Sequence, residues 1–551
     1  MGWAFSIAMH PCTPPPGAAA KTMPTISFEN VGFHYTDPYA AVFTAVSLTL
    51  DTTWKTGLVG RNGTGKTTLL RLLRGDLVPA RGRLHVPVAV GRFPSEPRSG
   101  AQPLRRLIKD CVAPFARWER EMQRCLATGD PASLKRYAEL LELYQRHDGY
   151  RIDARIEQEL AELGFEEAAL DRDFDTLSGG EQTRALIAAL FLRPDLFPLI
   201  DEPTNHLDLA GRMLLADYLN SKSGFLLVSH DRHVLEASTD HILSIHKESL
   251  RLHHAGFADW ELQAVREELH ESRRRTNLKR EIRSLERSAR RRRGWSTSKE
   301  KEKRGAYDKG RIGHMAAKQM RRARSIERRI SAMVEEKRRL MRKVDKERRL
   351  KLEADGSGPQ RLLAVEDVAL DIAGRRIVDD VTLHVDRGDR LALIGPNGCG
   401  KTTLLRAIAG DLHCTAGIIH MPRHIQTVRA YQTPLWREGS LRAALRSLGA
   451  DEARFRAIMD ACGVSGHVFD RPLETFSQGE LKKVDLCRSF LDPQQLLIWD
   501  EPLNYIDIPS RKEIERVILD TEPTLLFVEH DRRFIETAAT RILQLPGRSQ
   551  P

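Results

Sequence analysis

No apolar run in the sequence approaches the roughly 20 residues that cross a bilayer, so no membrane segment is expected. Cysteine is sparse: seven, at positions 12, 111, 125, 399, 414, 462 and 487, and no pair has C-x-x-C spacing. That excludes a structural zinc site and a disulfide framework, and it favours a reducing, cytoplasmic compartment. The first residues lack the basic segment of a signal peptide. Residues 1–22 read as a disordered tail, with fold-like sequence from Met23, which is an alternative start. Strand signals are nearly missing between Glu261 and Arg361.

What is present needs more than one core. A chain of 551 residues suits two to four domains. Its net charge of +12 is unevenly spread. Arg266–Arg349 holds 32 Lys and Arg against 13 Asp and Glu, a surplus of +19, which leaves −7 for all other residues. An acidic body with one basic segment implies a polyanionic partner.

The sequence also repeats. "GRNGTGKTTLLRLL" at Gly60 returns as "GPNGCGKTTLLRAI" at Gly395, and "LSGGEQ" at Leu177 as "FSQGEL" at Phe476. "LIDEPTNHLD" at Leu199 returns as "IWDEPLNYID" at Ile498, and "LLVSHDRHVLE" at Leu226 as "LFVEHDRRFIE" at Leu526. Lys66 and Lys401 are 335 residues apart, but Asp201 and Asp500 only 299, so the first copy holds 36 extra residues. They are placed in a helical insertion over 104–165, with Leu134, Tyr137, Leu141 and Tyr144 on one face. The domains follow: a first repeat at 23–260, a basic helical linker at 261–361, a second repeat at 362–546 and a tail at 547–551. In the linker, Leu262, Val265 and Leu269 share a face. So do Leu278, Ile282 and Leu285, and then Ile326, Ile330, Met333, Leu340 and Val344. Gly294, Gly305, Gly310 and Gly313 interrupt that pattern. The expectation is an antiparallel helical hairpin with an irregular tip at Arg291–His314, its first helix over Arg266–Arg293 being roughly 40 Å long.

Each repeat carries a phosphate loop between an apolar strand and a helix. In the first it is Gly60, Arg61, Asn62, Gly63, Thr64, Gly65, Lys66, Thr67 and Thr68. In the second it is Gly395, Pro396, Asn397, Gly398, Cys399, Gly400, Lys401, Thr402 and Thr403. Glycines let backbone N–H groups wrap phosphates, and a helix N-terminus favours their charge. The lysine reaches the outer phosphates, and Thr67 and Thr402 are placed to hold Mg²⁺. Asp201 and Asp500 end apolar runs, where a buried strand delivers a carboxylate to the metal. Glu202 and Glu501 follow, placed to polarise an attacking water.

These motifs resemble the ATP-binding-cassette family over both repeats. The resemblance implies an α/β fold of two tandem P-loop ATPase domains joined by a helical hairpin, with ATP and Mg²⁺ as cofactors. It implies that the two domains of one monomer pair head to tail. Ser178, Gly179, Gly180 and Glu181 would then cap the ATP held by Lys401, and Ser477, Gln478, Gly479 and Glu480 the ATP held by Lys66. His230 and His530 match the histidines that contact the γ-phosphate, and Asp208 and Asp507 the D-loop. Tyr35 matches the aromatic that stacks on adenine, whereas the second copy has Ile372. Gln432 matches a glutamine that contacts Mg²⁺, but the first copy has Ser95. The two ATP sites are therefore expected to differ.

Two fused cassettes around a basic hairpin are similar to the ABC-F group, whose members bind ribosomes. The implied partner is large-subunit ribosomal RNA at the tRNA exit site, reached by the linker, with no DNA expected. Asp308–Arg329, "DKGRIGHMAAKQMRRARSIERR", is similar to the Lsa-type resistance proteins, which protect ribosomes from lincosamides, pleuromutilins and streptogramin A. Trp295 and Tyr307 at the tip would stack on RNA or pack inside the hairpin. A housekeeping ABC-F translation factor is the alternative, and the ATPase component of an exporter a remote one.

Overall fold

The computed structural model describes residues 24–36, 39–94, 102–193, 196–246, 248–302, 329, 332–335, 360–423, 425, 427–430, 433–464, 466–491 and 496–546. The two terminal tails, Ser95, Gln432, Tyr307 and most of the expected return helix lie outside these residues. The chain divides into two compact units between His254 and Ala255, slightly before the sequence-based boundary at Trp260.

In the first unit, a six-stranded sheet runs in the order Ala89–Phe93, Leu196–Asp201, Phe225–Val228, Lys55–Gly60, His241–His246 and Ser249–His253. Its pairs are parallel except the last, which is an antiparallel hairpin. The central strands read as unbroken apolar runs because both faces are covered, and Phe225–Val228 is buried throughout. A three-stranded antiparallel sheet accompanies it, ordered Tyr39–Asp51, Thr25–Thr36 and Arg81–His85.

The second unit repeats this plan. Its parallel sheet runs Thr427–Ala430, Leu496–Asp500, Leu525–Val528, Arg390–Ile394 and Arg541–Gln544. Its antiparallel sheet runs Arg375–Asp386, Arg361–Ile372 and Ala416–His420. Trp499 is fully buried, and its ring N–H donates to Ser489 Oγ at 3.1 Å, so the indole's one polar atom is satisfied.

The insertion in the first repeat is helical, as expected. Four helices occupy it, Leu104–Val112, Phe115–Thr128, Pro131–Arg146 and Ile152–Glu162. The second repeat has two in the corresponding stretch, Leu441–Ser447 and Glu452–Ala461. The middle pair of the four forms a hairpin. Gly129 ends one helix at φ +70, and Asp130 caps the next by accepting from Ala132 and Ser133. The buried stripe differs from the expected one: Leu140 and Tyr144 are buried, while Leu134 is exposed. Burial concentrates at the base, where the Phe115 and Tyr144 rings meet edge to face and Tyr144 donates to Glu119 at 2.9 Å.

The linker begins as one helix, Phe257–Glu302, of 46 residues. At 1.5 Å per residue it is roughly 70 Å long, well beyond the expected length. Gly294 does not interrupt it, and Arg291–Glu302, expected to be irregular, continues the helix and contains Trp295. Hydrogen bonding along a helix tolerates a lone glycine at a cost of about 1 kcal/mol. Leu262, Val265 and Leu269 are exposed, whereas Ile282 is buried. Among residues 332–335, Val334 is buried and the expected Met333 is exposed.

Near its start this helix is tied to the second unit. Phe257 is fully buried. Glu261 pairs with Lys512 at 2.8 Å and with Arg533 at 2.8 Å. Burial pushes the Glu261 carboxyl up, but the hydrogen bonds and charges of Lys512 and Arg533 outweigh it and hold it below its ordinary range. A depressed carboxylate stabilises the fold above its unfolded pKa, and that contribution is lost as pH falls through the folded value. Replacing Glu261 with Ala should therefore cost about 1–2 kcal/mol near neutral pH, the two cations being partly solvated. The difference from wild type should vanish in acid below the ordinary glutamate range, as followed by thermal melting at a series of pH values.

Candidate functional site

Each unit builds the same constellation where its parallel strands end. The helices Lys66–Arg74 and Lys401–Ile408 start directly from Gly65 and Gly400, whose φ values are +104 and +103. Both loops thus turn through a left-handed residue into a helix N-terminus, the arrangement that binds phosphate. The Lys66 ammonium donates to Gly60 O at 2.8 Å and lies 3.4 Å from His230 Nε2. Lys401 donates to Gly395 O at 2.7 Å and Pro396 O at 2.8 Å. Each lysine is held across the mouth of its own loop.

Parallel pairing sets Asp201 opposite Val228 and Asp500 opposite Val528. One residue on, Glu202 and Glu501 adopt φ of +50 and +48, and their N–H groups donate back to Val228 O and Val528 O. Positive φ in a side-chain-bearing residue gathers at functional sites, and here both copies keep it. The turn lifts each carboxylate towards its histidine. Glu202 Oε1 lies 3.1 Å from His230 Nε2, and Glu501 Oε1 3.5 Å from His530 Nε2. Burial pushes Glu501 up, but His530 and Asn504, whose Nδ2 donates to it at 2.8 Å, leave it net lowered.

Thr402 Oγ1 donates to Asp500 Oδ1 at 3.2 Å, so these two of the expected metal-holding groups of the second copy converge. Burial is the main cause that raises Asp500 to about 6. Burial also raises Asp201, against the opposing charge and hydrogen bond of Arg92. A hydroxyl beside a carboxylate is a hard-oxygen donor set that suits Mg²⁺. Among the described residues, no group of three or more His, Cys, Asp or Glu forms a metal cage. Mg²⁺ ordinarily keeps several waters and takes further oxygens from substrate phosphates, so a full protein cage is not required.

The other expected residues that are described take these positions in their own elements. Ser178 and Ser477 cap the helices Gly179–Phe191 and Gln478–Ser489, each in a reciprocal capping box with Glu181 or Glu480. Gly179, Gly180, Gln478 and Gly479 lie in the first turns of those helices. Tyr35 OH lies 3.1 Å from Thr68 Oγ1, its ring edge-on to Phe33 and partly exposed. Ile372, at the end of its strand, is exposed. Asp208 and Asp507 serve as helix N-caps, accepting from Gly211 and Ser510.

Motif matching missed several groups. Lys482, buried and lowered by that burial, donates to Glu501 O at 3.4 Å. Glu529 accepts from Leu503 N at 2.8 Å and from His530 N at 3.0 Å. The 299-residue offset of the aspartates places Thr183 at the position of Lys482, and the 300-residue offset of the histidines places Ser229 at that of Glu529. Setting the two copies side by side residue by residue would have exposed the difference.

Comparison with known proteins agrees with this construction. The ABC transporter family model matches residues 43–205 and 378–504. The chain is 30% identical over 539 residues to the tylosin resistance ATP-binding protein TlrC of Streptomyces fradiae, covering 93% of this chain and 96% of that one. It is 28% identical to the ATP-binding protein Uup of Haemophilus influenzae, covering 89% of this chain and 74% of the relative. With the putative ATP-binding protein YdiF of Bacillus subtilis it shares 26% identity, over 89% and 75%. Among solved structures, an RNase-L inhibitor shares the fold with a TM-score of 0.57 at 19% identity, covering 94% of this chain and 87% of that chain. No described helix is long and apolar enough to cross a membrane.

The loop glycines differ in what they tolerate. A Cβ on Gly65 would press into Val42 and stand 3.1 Å from Phe43 Cζ, whereas one on Gly63 meets nothing within 4 Å. Gly63→Ala should cost only the left-handed backbone penalty, about 1–2 kcal/mol. Gly65→Ala should in addition displace the strand pair beneath the loop and eliminate one of two binding events for a fluorescent ATP analogue. Titration of both variants, with melting as a folding control, checks the contrast.

Proposed function

Because this chain belongs to the ATP-binding-cassette family, carries two tandem cassettes and has ABC-F-type ATP-binding proteins as relatives, we propose that it is an ATP-hydrolysing ABC-F protein. In this reading it acts on the ribosome and protects it from antibiotics of the peptidyl-transferase centre. The observation that carries the reading is the combination of two phosphate-loop and Asp-Glu-His constellations with a 46-residue linker helix that runs into the strongly basic segment. Lys and Arg on such a helix neutralise RNA phosphates, and arginine stacks on bases. The name of TlrC ties that relative to tylosin resistance and supports the resistance reading.

In each site the loop N–H groups and Lys66 or Lys401 bind and orient the phosphates. Thr67 with Asp201, and Thr402 with Asp500 and Gln432, would hold Mg²⁺. That ion would supply charge neutralisation for the transferred phosphoryl group. Glu202 and Glu501, lifted by their left-handed backbone, polarise the attacking water. His230 and His530 stand beside them to contact the γ-phosphate. A housekeeping translation factor of the same group is the second reading, since the names of other relatives state ATP binding and no resistance.

Exchanging Glu202 and Glu501 together for Gln should reduce ATP turnover by at least about 100-fold, leaving nucleotide binding intact. A wild-type rate would remove both glutamates from the chemistry. With ATP, the same double variant should co-sediment with ribosomes at low salt and be released as salt rises; salt-independent binding would contradict the electrostatic basis. Expression in a sensitive host, with inhibitory concentrations for lincosamide, pleuromutilin, streptogramin A and tylosin, separates the two readings. Protection by wild type against any of them supports the resistance reading, and no protection leaves the housekeeping one.

A further inference from the structure

The two copies of one arginine take different partners. Strand register makes Arg92 and Arg429 equivalent, since Arg92 pairs with Leu199 and Arg429 with Ile498, each two residues before the metal-site aspartate. Arg429 is anchored by Asp411. Its guanidinium donates to Asp411 Oδ1 at 2.7 Å and to Ala409 O, and its Nε to Thr427 Oγ1 at 3.4 Å. Arg92 instead donates through Nη2 to Asp201 Oδ2 at 3.3 Å, and its buried Nε has no hydrogen-bond partner.

The sequence supplies the cause. The 335-residue offset that relates Lys66 to Lys401 also relates Arg74 to Ala409 and Asp76 to Asp411. In the first copy Arg74 pairs with Asp76 at 3.4 Å and so takes the carboxylate that anchors the arginine in the second copy. The strand also has Val90 where the second copy has Thr427, which removes the other side-chain acceptor. Arg92 is left to face the remaining nearby carboxylate, Asp201.

We propose that Arg92 is a built-in competing cation of the first nucleotide site: it neutralises Asp201 and makes nucleotide binding there less dependent on a divalent metal than at the second site. The inference rests on reading Thr67 and Asp201 as the metal-holding pair of a nucleotide site. A guanidinium already on Asp201 Oδ2 offsets the carboxylate's charge and repels a divalent ion brought to the same group. Without metal, Arg92 screens the repulsion between Asp201 and phosphate. When metal is present, Arg92 weakens its hold through like-charge repulsion. Both effects shrink the coupling between metal and nucleotide, and such coupling is reciprocal.

The test uses the full chain and a fluorescent ATP analogue, with Kd measured in EDTA and in saturating Mg²⁺. The Lys401→Ala background leaves the first site to be read, and the Lys66→Ala background the second. In the first background, Arg92→Gln should raise the ratio of the EDTA Kd to the Mg²⁺ Kd by about fivefold, the scale of one charge-assisted contact. Arg74→Ala should do the same while keeping Arg92, because it frees Asp76 to take the guanidinium. In the second background, Ala409→Arg should lower the ratio by a similar factor. Melting curves confirm folding, and Arg74 is an exposed position that should not endanger it. Unchanged ratios in both Arg92→Gln and Arg74→Ala, with a parent that binds analogue, overturn the competing-cation role alone. A parent whose analogue binding ignores Mg²⁺, and still does in Arg92→Gln, overturns the metal-site reading and the inference with it.

Discussion

The register of two parallel strands is the constraint on which both sites depend. Asp201 ends its strand opposite Val228, and Asp500 ends its strand opposite Val528. Because parallel strands finish on the same edge, the metal-site carboxylate and the residues leading to the histidine emerge together. The next residue then turns left-handed and donates back to the same valine carbonyl. Those two features bring Glu202 within 3.1 Å of His230 Nε2. A slip of one residue would point either carboxylate into the core, since successive side chains face opposite sides of a sheet.

Within that shared frame the two copies differ through their neighbours. Lys482 and Glu529 surround Glu501 and His530, and Thr183 and Ser229 take their positions in the first copy. The second site is thereby denser in buried charge, which Lys482 partly balances against Asp500, Glu501 and Glu529. The first site instead has an arginine on its aspartate. Buried charges are stable only when paired, so each copy has settled its own pairing, and the chemistry of the two sites diverges although the motifs agree.

The linker helix is tied to the same machinery. Lys512 lies on the helix Ile508–Thr521 that Asp507 caps, and Arg533 on the helix Arg532–Ala538 that follows His530. Glu261 bridges both. The start of the helix is thus fixed to two elements that border the second site. Buried Arg511–Asp531 at 2.7 Å, repeated as Arg212–Asp231 at 2.9 Å, joins those two elements within each unit.

Much of this was legible in the residues. The phosphate loops, the strand-ending Asp-Glu pairs and the capping Ser and Glu are local signals, because each needs only its own few residues to set a turn, a strand end or a helix start. The helical nature of the insertion followed from its periodicity. What only the tertiary structure decided depends on partners distant in sequence. Leu134, Leu262 and Met333 sit at apolar spacings yet are exposed, since periodicity gives a face but not the neighbour that covers it. Gly294 remains helical because the cost of a single glycine is small beside the helix around it. Arg92 and Arg429 occupy equivalent places in similar strands, and the exchange of Thr427 for Val90 is the local difference between them. Arg74, 18 positions before Arg92 in the chain, takes the competing carboxylate, and only the folded arrangement of Asp76, Asp201 and the two arginines determines which charge meets which.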